Sequence, residues 1–402
     1  MVGTRTAKSF NRDEQGQLSV MLVLGLIPII FLIALIFNSA HQTTRKIELQ
    51  GAADSGAVSG GVWMARGMNL TVLNNNGMAE VISVMITVRA LRYTIFIMNK
   101  IVIPKYLPFI EIPAVAIYIE FLELLETTFN TVDNALSNQS GGIGWIVMRS
   151  LDKLNQIIKA VIPPIVQAEA ISYAEKNGAD SLSFVLSGAR GASVTDLLPL
   201  MPVGRGLTRF TVERAEDCQL PKITGAAGLI LIVYGPDYPL ALTTFRLLVR
   251  QNVSSLKGTG GGSIPFPPPL RWPSDPPRPM ILTDRPLRSP AARTNIPEEN
   301  ADLRRVRRFL QLLMIAQRTR PHASKIGGER FPNETPVWLS ESQFTYGQAD
   351  IYNPTLWSMF SQDWRAQLSK ASLFEEKKND LAKRLGFGNA GQYFDWAFIN
   401  TH

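Results

Sequence analysis

Histidine and cysteine are nearly missing from this chain. Its 402 residues include three histidines, His41, His322 and His402, and one cysteine, Cys218. A lone thiol excludes an internal disulfide framework and every multi-cysteine zinc or iron–sulfur site. No two histidines stand at helical metal-ligand spacing, so the common histidine-based catalytic and metal sites have no candidate. Also absent are a Gly-x-Ser-x-Gly nucleophile elbow, an HExxH pair, an EF-hand loop and a Walker sequence. The glycine run at 258–263 lacks the Gly-Lys-Ser/Thr that would make it a phosphate cradle and reads as a flexible linker. Carboxylate pairs such as Glu120/Glu123 and Glu298/Glu299 read as solvated helix surface, and Cys218 as a small hydrophobe. No catalytic, cofactor-binding or metal-ligating residue is assigned, and the chain is not read as an enzyme.

Charge is missing from one stretch altogether. Leu18 to Phe37 runs LSVMLVLGLIPIIFLIALIF, twenty residues without a charge. A helix of that length, at about 1.5 Å per residue, covers the roughly 30 Å hydrocarbon core of a bilayer. The run exceeds the apolar region of a cleaved signal, which is about 7–15 residues long, so it reads as a transmembrane helix with Pro28 inside it. Arg5, Lys8 and Arg12 precede it and Arg45, Lys46 and Arg66 follow it, so flanking charge leaves the orientation tied. A short amino-terminal tail and a long remainder favour the tail inside and the large domain exported. No second span is assigned: residues 81–125 are interrupted by charges and prolines, and Ile223 to Pro236 is too short.

The predicted fold is mainly α with a small β component: one amino-terminal transmembrane helix continuing into a stalk, then an exported helical domain. The divisions are a tail at 1–17, the span at 18–38, a helical stalk at 39–66, a mainly helical domain at 67–257 and a Gly/Pro-rich linker or strap at 258–297. A helical, aromatic-rich region at 298–402 follows. Helices are expected over 78–130 and 143–187. Strand-like signals lie at Thr208 to Val212, Leu229 to Tyr234 and Thr244 to Val249, with helix open for the last two. Pro265 to Pro297 holds 11 of the 26 prolines, which favours extended chain. Glu298 to Gln317 reads as an amphipathic helix with Leu303, Val306, Leu310 and Leu313 on one stripe. Trp357, Phe360 and Trp364 fall at helical steps and are expected to dock the tail on the core.

Two surfaces stand out as contact sites. Gly51, Ser55 and Ser59 repeat at steps of four, and Gly56 and Gly60 repeat the step on an adjacent face. Such small-residue faces let a second helix approach closely, either the chain's own next helix or a partner's. Residues 278–330 carry 12 basic and 5 acidic side chains, nearly the whole excess of the +8 chain. Arg304, Arg305, Arg307 and Arg308 in this region are either an anion-binding patch or a solvated helix face. No aromatic residues are interleaved with them, so nucleic acid is not expected.

The residues flanking the span, Arg12-Asp13-Glu14-Gln15-Gly16-Gln17 before it and Leu49-Gln50-Gly51-Ala52-Ala53-Asp54-Ser55-Gly56-Ala57 after it, form a joint pattern over about 10–65. It resembles the TadG-like and TadE-like proteins of tight-adherence (Flp) pilus assembly. Gln348 to Pro354, followed by Met359 to Leu368, resembles an ending found in some larger bacterial members of that group. The resemblance implies a membrane-anchored, pilin-like accessory protein in the bacterial cytoplasmic membrane. Its partners would be the bilayer and other pilus-assembly or pilin-like proteins, with oligomers through the stalk. Cutting after Gly16, as in true pilins, would put Met21 where pilins usually carry glutamate. Some TadG proteins have a metal-dependent adhesion motif, Asp-x-Ser-x-Ser; Asp180-Ser181-Leu182-Ser183 has the wrong spacing, so none is predicted. The alternative reading is an envelope module that holds a polyanion through 278–330.

Overall fold

The computed structural model describes residues 6–138, 141–180, 184–187, 200–202, 209–218, 220–258, 267–282, 311–318, 343–354 and 358–369. One helix dominates it. Helix α1, Thr6–Tyr106, has 101 residues and contains Pro28 and Pro104; at 1.5 Å per residue it is about 150 Å long. It runs on well past Arg66, the expected end of the stalk. A turn of 3₁₀ helix at Leu107–Phe109 ends it, and Pro113 opens α2, Pro113–Ser137, at the first helical position. That site suits proline, because its missing N–H would have had no helical partner.

Helix α3, Ile143–Lys176, runs antiparallel to α1 and keeps Pro163 and Pro164 inside it. Asn155 lies beside Asn74, Ala170 beside Gly60 and Asn177 beside Ser55. Three further helices complete a bundle on the distal part of α1: α4, Arg209–Asp217; α5, Leu220–Tyr234; and α6, Tyr238–Lys257. The strand-like signals therefore resolve as helix from Arg209 on, and Thr208 lies outside the described residues. Short apolar runs such as Leu229 to Tyr234 fit a buried helix face as well as a strand, and packing on α1 decides. Gly258 closes α6 in the left-handed conformation, φ 68°, which glycine adopts without a Cβ clash.

The strands are β1, Phe184–Ser187; β2, Leu200–Pro202; β3, Met280–Leu282; β4, Gln311–Arg318; β5, Gln343–Tyr352; and β6, Arg365–Ser369. Strands β1, β4, β5 and β6 form an antiparallel sheet in that order, with Val185 opposite Met314, Met314 opposite Gly347, and Ala349 opposite Leu368. Strands β2 and β3 form a separate pair. The expected helix to Gln317 is corrected here, because its last residues, from Gln311, are strand β4; residues 298–310 lie outside the described chain. Leu312 to Ala316 are all buried, and a continuous apolar run buried on both faces carries no period to separate strand from helix. Phe360 and Trp364 are buried as expected, but through a turn and a strand approach rather than a helix; Trp357 lies outside the described residues.

Two cores stack along α1. The proximal one joins Leu49 to Val72 with the carboxyl half of α3 and the four-stranded sheet. The distal one joins Met78 to Val102 with α2, α4, α5, α6 and the amino end of α3, around Trp145. An extended segment, 267–282, links them. Its Leu270 N–H donates to Asn252 Oδ1 at 2.7 Å, and Trp272 Nε1 donates to Leu256 O at 2.7 Å. By length and composition alone, three helical stretches could cross a bilayer: Val20–Phe109, Ile143–Lys176 and Lys222–Lys257. The most apolar window of the first is wholly unburied, whereas the others have 33% and 28% buried within the protein.

Candidate functional site

The exposed apolar run and the folded body share one element. Between Val20 and Phe37 the large apolar side chains are 46% to 75% exposed, all around the helix. A helix that is apolar on every side needs an apolar surround. Without any break, α1 then enters the proximal core, where Leu49, Ala52, Ala53 and Ala57 have no exposed surface. The gap from Phe37 to Leu49 is twelve residues, about 18 Å of helix.

The small residues of this stretch are seats for the chain's own elements. A Cβ on Gly56 would meet Ala170 O at 2.9 Å and Met314 Cγ at 3.1 Å. One on Gly60 would meet Ala170 Cβ and Leu312 Cδ2, both at 3.2 Å, so α3 and β4 pack into that face. Ser55 Oγ accepts a hydrogen bond from Asn177 Nδ2 at 2.9 Å, Ser59 is half-buried, and Gly51 is exposed with nothing within 4 Å. Of the five residues singled out, three thus meet α3 or β4, while Gly51 faces open space. The reciprocal fit is at Gly347, where a Cβ would lie 2.6 Å from the carbonyl of Ala53. Gln50 Nε2 donates to Tyr346 O at 2.9 Å, and Thr345 Oγ1 donates to Leu49 O at 3.1 Å. The stretch around 49–57 therefore packs on β5 at 345–347, immediately before the second resembling stretch at Gln348 to Pro354.

A second set of side chains was missed by sequence reasoning. Asn69 exchanges two hydrogen bonds with the backbone of Trp364, at 3.1 and 3.0 Å. Asn74 Nδ2 donates to Asn155 Oδ1 at 2.9 Å, and Asn155 Nδ2 donates to Asn75 Oδ1 at 3.1 Å. Asn75 Nδ2 in turn donates to Met280 O and Met359 O, and Asn76 Nδ2 donates to Phe360 O. The signal was three consecutive asparagines, poor helix formers, inside a long helix. They satisfy backbone groups of Met280, Met359 and Phe360, in segments packed on α1.

Arg304, Arg305, Arg307 and Arg308 lie outside the described residues. Two cations of the same basic stretch are engaged locally. Arg318 is 8% exposed, donates from Nε to Gly178 O at 2.8 Å and sits 3.5 Å from Glu48; Arg278 pairs with Asp275. Burial pushes the Cys218 thiol above its ordinary pKa, and Glu80 adds to the rise against opposing pulls from Lys222 and Arg214. A thiol held neutral is a poor nucleophile. Among the described residues, no three His, Cys, Asp or Glu side chains group as metal ligands.

Comparison with known families falls on this same helix. Residues 16–65 match the Tad family, described as putative Flp pilus-assembly TadE/G-like. The Tad-like segment comprises the exposed apolar run and the part of α1 that seats β5 and the end of α3. It stops short of the asparagine ladder. The match supports an accessory role in pilus assembly, and the family is a structural, accessory one. No curated protein and no solved structure matches the chain.

Proposed function

We propose that this protein is a membrane-anchored, pilin-like structural component of Flp pilus assembly, held in the cytoplasmic membrane by a single uncleaved span. Residues 1–17 stand inside and the body outside, where it contacts other pilus-assembly proteins. The observation that carries this reading is the continuity of α1: the exposed apolar run and the buried proximal core share one helix. Force or position imposed on the body passes to the bilayer along hydrogen-bonded backbone rather than through a loose linker. The helices at Ile143–Lys176 and Lys222–Lys257 belong to the body in this reading, since each gives part of its apolar surface to the cores.

The test is membrane association of the full chain. The native protein is expected to resist alkaline carbonate extraction and to float with membranes. A Leu26→Arg/Ile30→Arg variant should be released, because two arginines at the centre of a span cost roughly 5–7 kcal/mol on insertion scales. Release of the native protein by carbonate would sink the proposal. Protease added outside the membrane should remove the body and spare the first forty residues.

A further inference from the structure

Helix α3 carries two apolar stripes, and among the described residues only one is packed against the rest of the protein. Trp145, Met148, Asn155, Ile158 and Ile162 are buried on the α1 side. Ile143, Val147, Leu154, Ile157 and Val161 are 40% to 58% exposed, with Ser150 completing the series. Their steps run four, three, four, three, four, the spacing of a coiled-coil seam. No charged residue interrupts it. On α2, Ile117, Phe121 and Leu124 are also exposed, at steps of four and three.

Lipid does not cover this face. Ile162, next to the near end of the stripe, packs on Gly67 of α1, 30 residues beyond Phe37, so the stripe begins about 45 Å from the end of the apolar run. A bilayer around Val20 to Phe37 cannot reach it. With about 90 Å² for each half-exposed side chain, the five apolar residues of the stripe and Ile146 offer roughly 540 Å² on each copy, about 1,080 Å² for the pair, which clears the ~1,000 Å² that a specific interface needs. Symmetry selects the arrangement. Two copies anchored in one bilayer can be related only by an axis along the membrane normal, parallel to α1 and hence to α3. Such an axis lays the stripe on the same stripe in parallel register, residue against identical residue. Sharing a membrane also raises the effective concentration of one copy near another.

The geometry points to a side-by-side pair of this chain, standing in one membrane and joined α3 to α3 through the Ile143 to Val161 stripe. The inference rests on the anchored reading proposed above. Its test uses the full-length protein in liposomes with Cys218→Ser as background. A Leu154→Cys variant should form a disulfide-linked dimer under mild oxidation, and Gln156→Cys, on the other side of α3, should not. Adding Ile157→Lys should abolish the Leu154→Cys dimer while helical circular dichroism and flotation stay unchanged. Equal cross-linking at both cysteines, or a Leu154→Cys dimer indifferent to Ile157→Lys, would overturn the pair. So would a monomer whose Leu154→Cys thiol reacts freely with maleimide, meaning a bare face, or is shielded, meaning that the chain's own residues cover it. Floating monomers overturn this inference alone; protein that does not float overturns the anchor as well.

Discussion

The side-chain amide of Asn75 grips the backbone of Met280, 205 residues away, from both sides. Its Nδ2 donates to Met280 O at 2.7 Å, and its Oδ1 accepts from Met280 N–H at 3.1 Å. Strand β3 is thereby docked on α1 as though it had a ladder partner on that side. Asn155 reaches the same Oδ1 from α3, so one buried amide ties three segments together.

Replacing Asn75 with leucine should therefore cost more than a lost contact. It strands the Met280 N–H and carbonyl in the core, and each unsatisfied buried group costs about 1–3 kcal/mol. A drop of about 3 kcal/mol or more in unfolding free energy by urea titration is expected. Limited proteolysis should cut first near 280 and 359.

The glycines of the seam should separate by position. Gly60→Leu forces a side chain onto Ala170 and Leu312 and is expected to destabilise by about 3 kcal/mol, the upper end for overpacking. Gly51→Ala, on an open helix face, should raise stability by about 1 kcal/mol. Thermal melts of the two variants should move in opposite directions.

In the distal core, Arg92 Nη1 lies 2.6 Å from Asp133 Oδ2, and Asp133 is 1% exposed. Arg92→Leu leaves that carboxylate buried without its cation, at a cost of about 3–5 kcal/mol. The double variant Arg92→Leu/Asp133→Leu should recover a large part of the loss. A double-mutant cycle by chemical denaturation measures it.

Cys218 supplies a pH-dependent prediction. Because burial and Glu80 raise its thiol, iodoacetamide should label it more slowly at pH 8 than a free thiol, and Glu80→Gln should speed labelling. The raised folded value also contributes stability that is complete below the unfolded thiol pKa and is lost as pH climbs through the folded one. Cys218→Ser should remove that alkaline dependence in denaturation curves between pH 7 and pH 10.

How far the chain could be read in advance follows from the kind of signal each element emits. Leu18 to Phe37 is apolar on every side, so no partner is needed to recognise it. The Gly56 and Gly60 spacing announced close approach, but not to which helix, since the chain's own α3 and a foreign one would ask for the same glycines. Strand β4 was misread because Leu310 and Leu313 fit a helical stripe while Leu312 to Ala316, buried on both faces, erase the period. The run Asn74-Asn75-Asn76 looked like a weak point in a helix. It proves to be a clamp, visible only once Met280, Met359 and Phe360 arrive from more than 200 residues away.

Local chemistry alone determined the apolar rod, the helical character of most of the chain and the small-residue seam, because uniform apolarity and helix periodicity are written in neighbouring residues. Tertiary structure decided which apolar runs became strands, what fills the glycine seats and which stripe of α3 stays uncovered. Those outcomes depend on hydrogen-bond partners and packing surfaces that distant segments supply, and only folding brings them together.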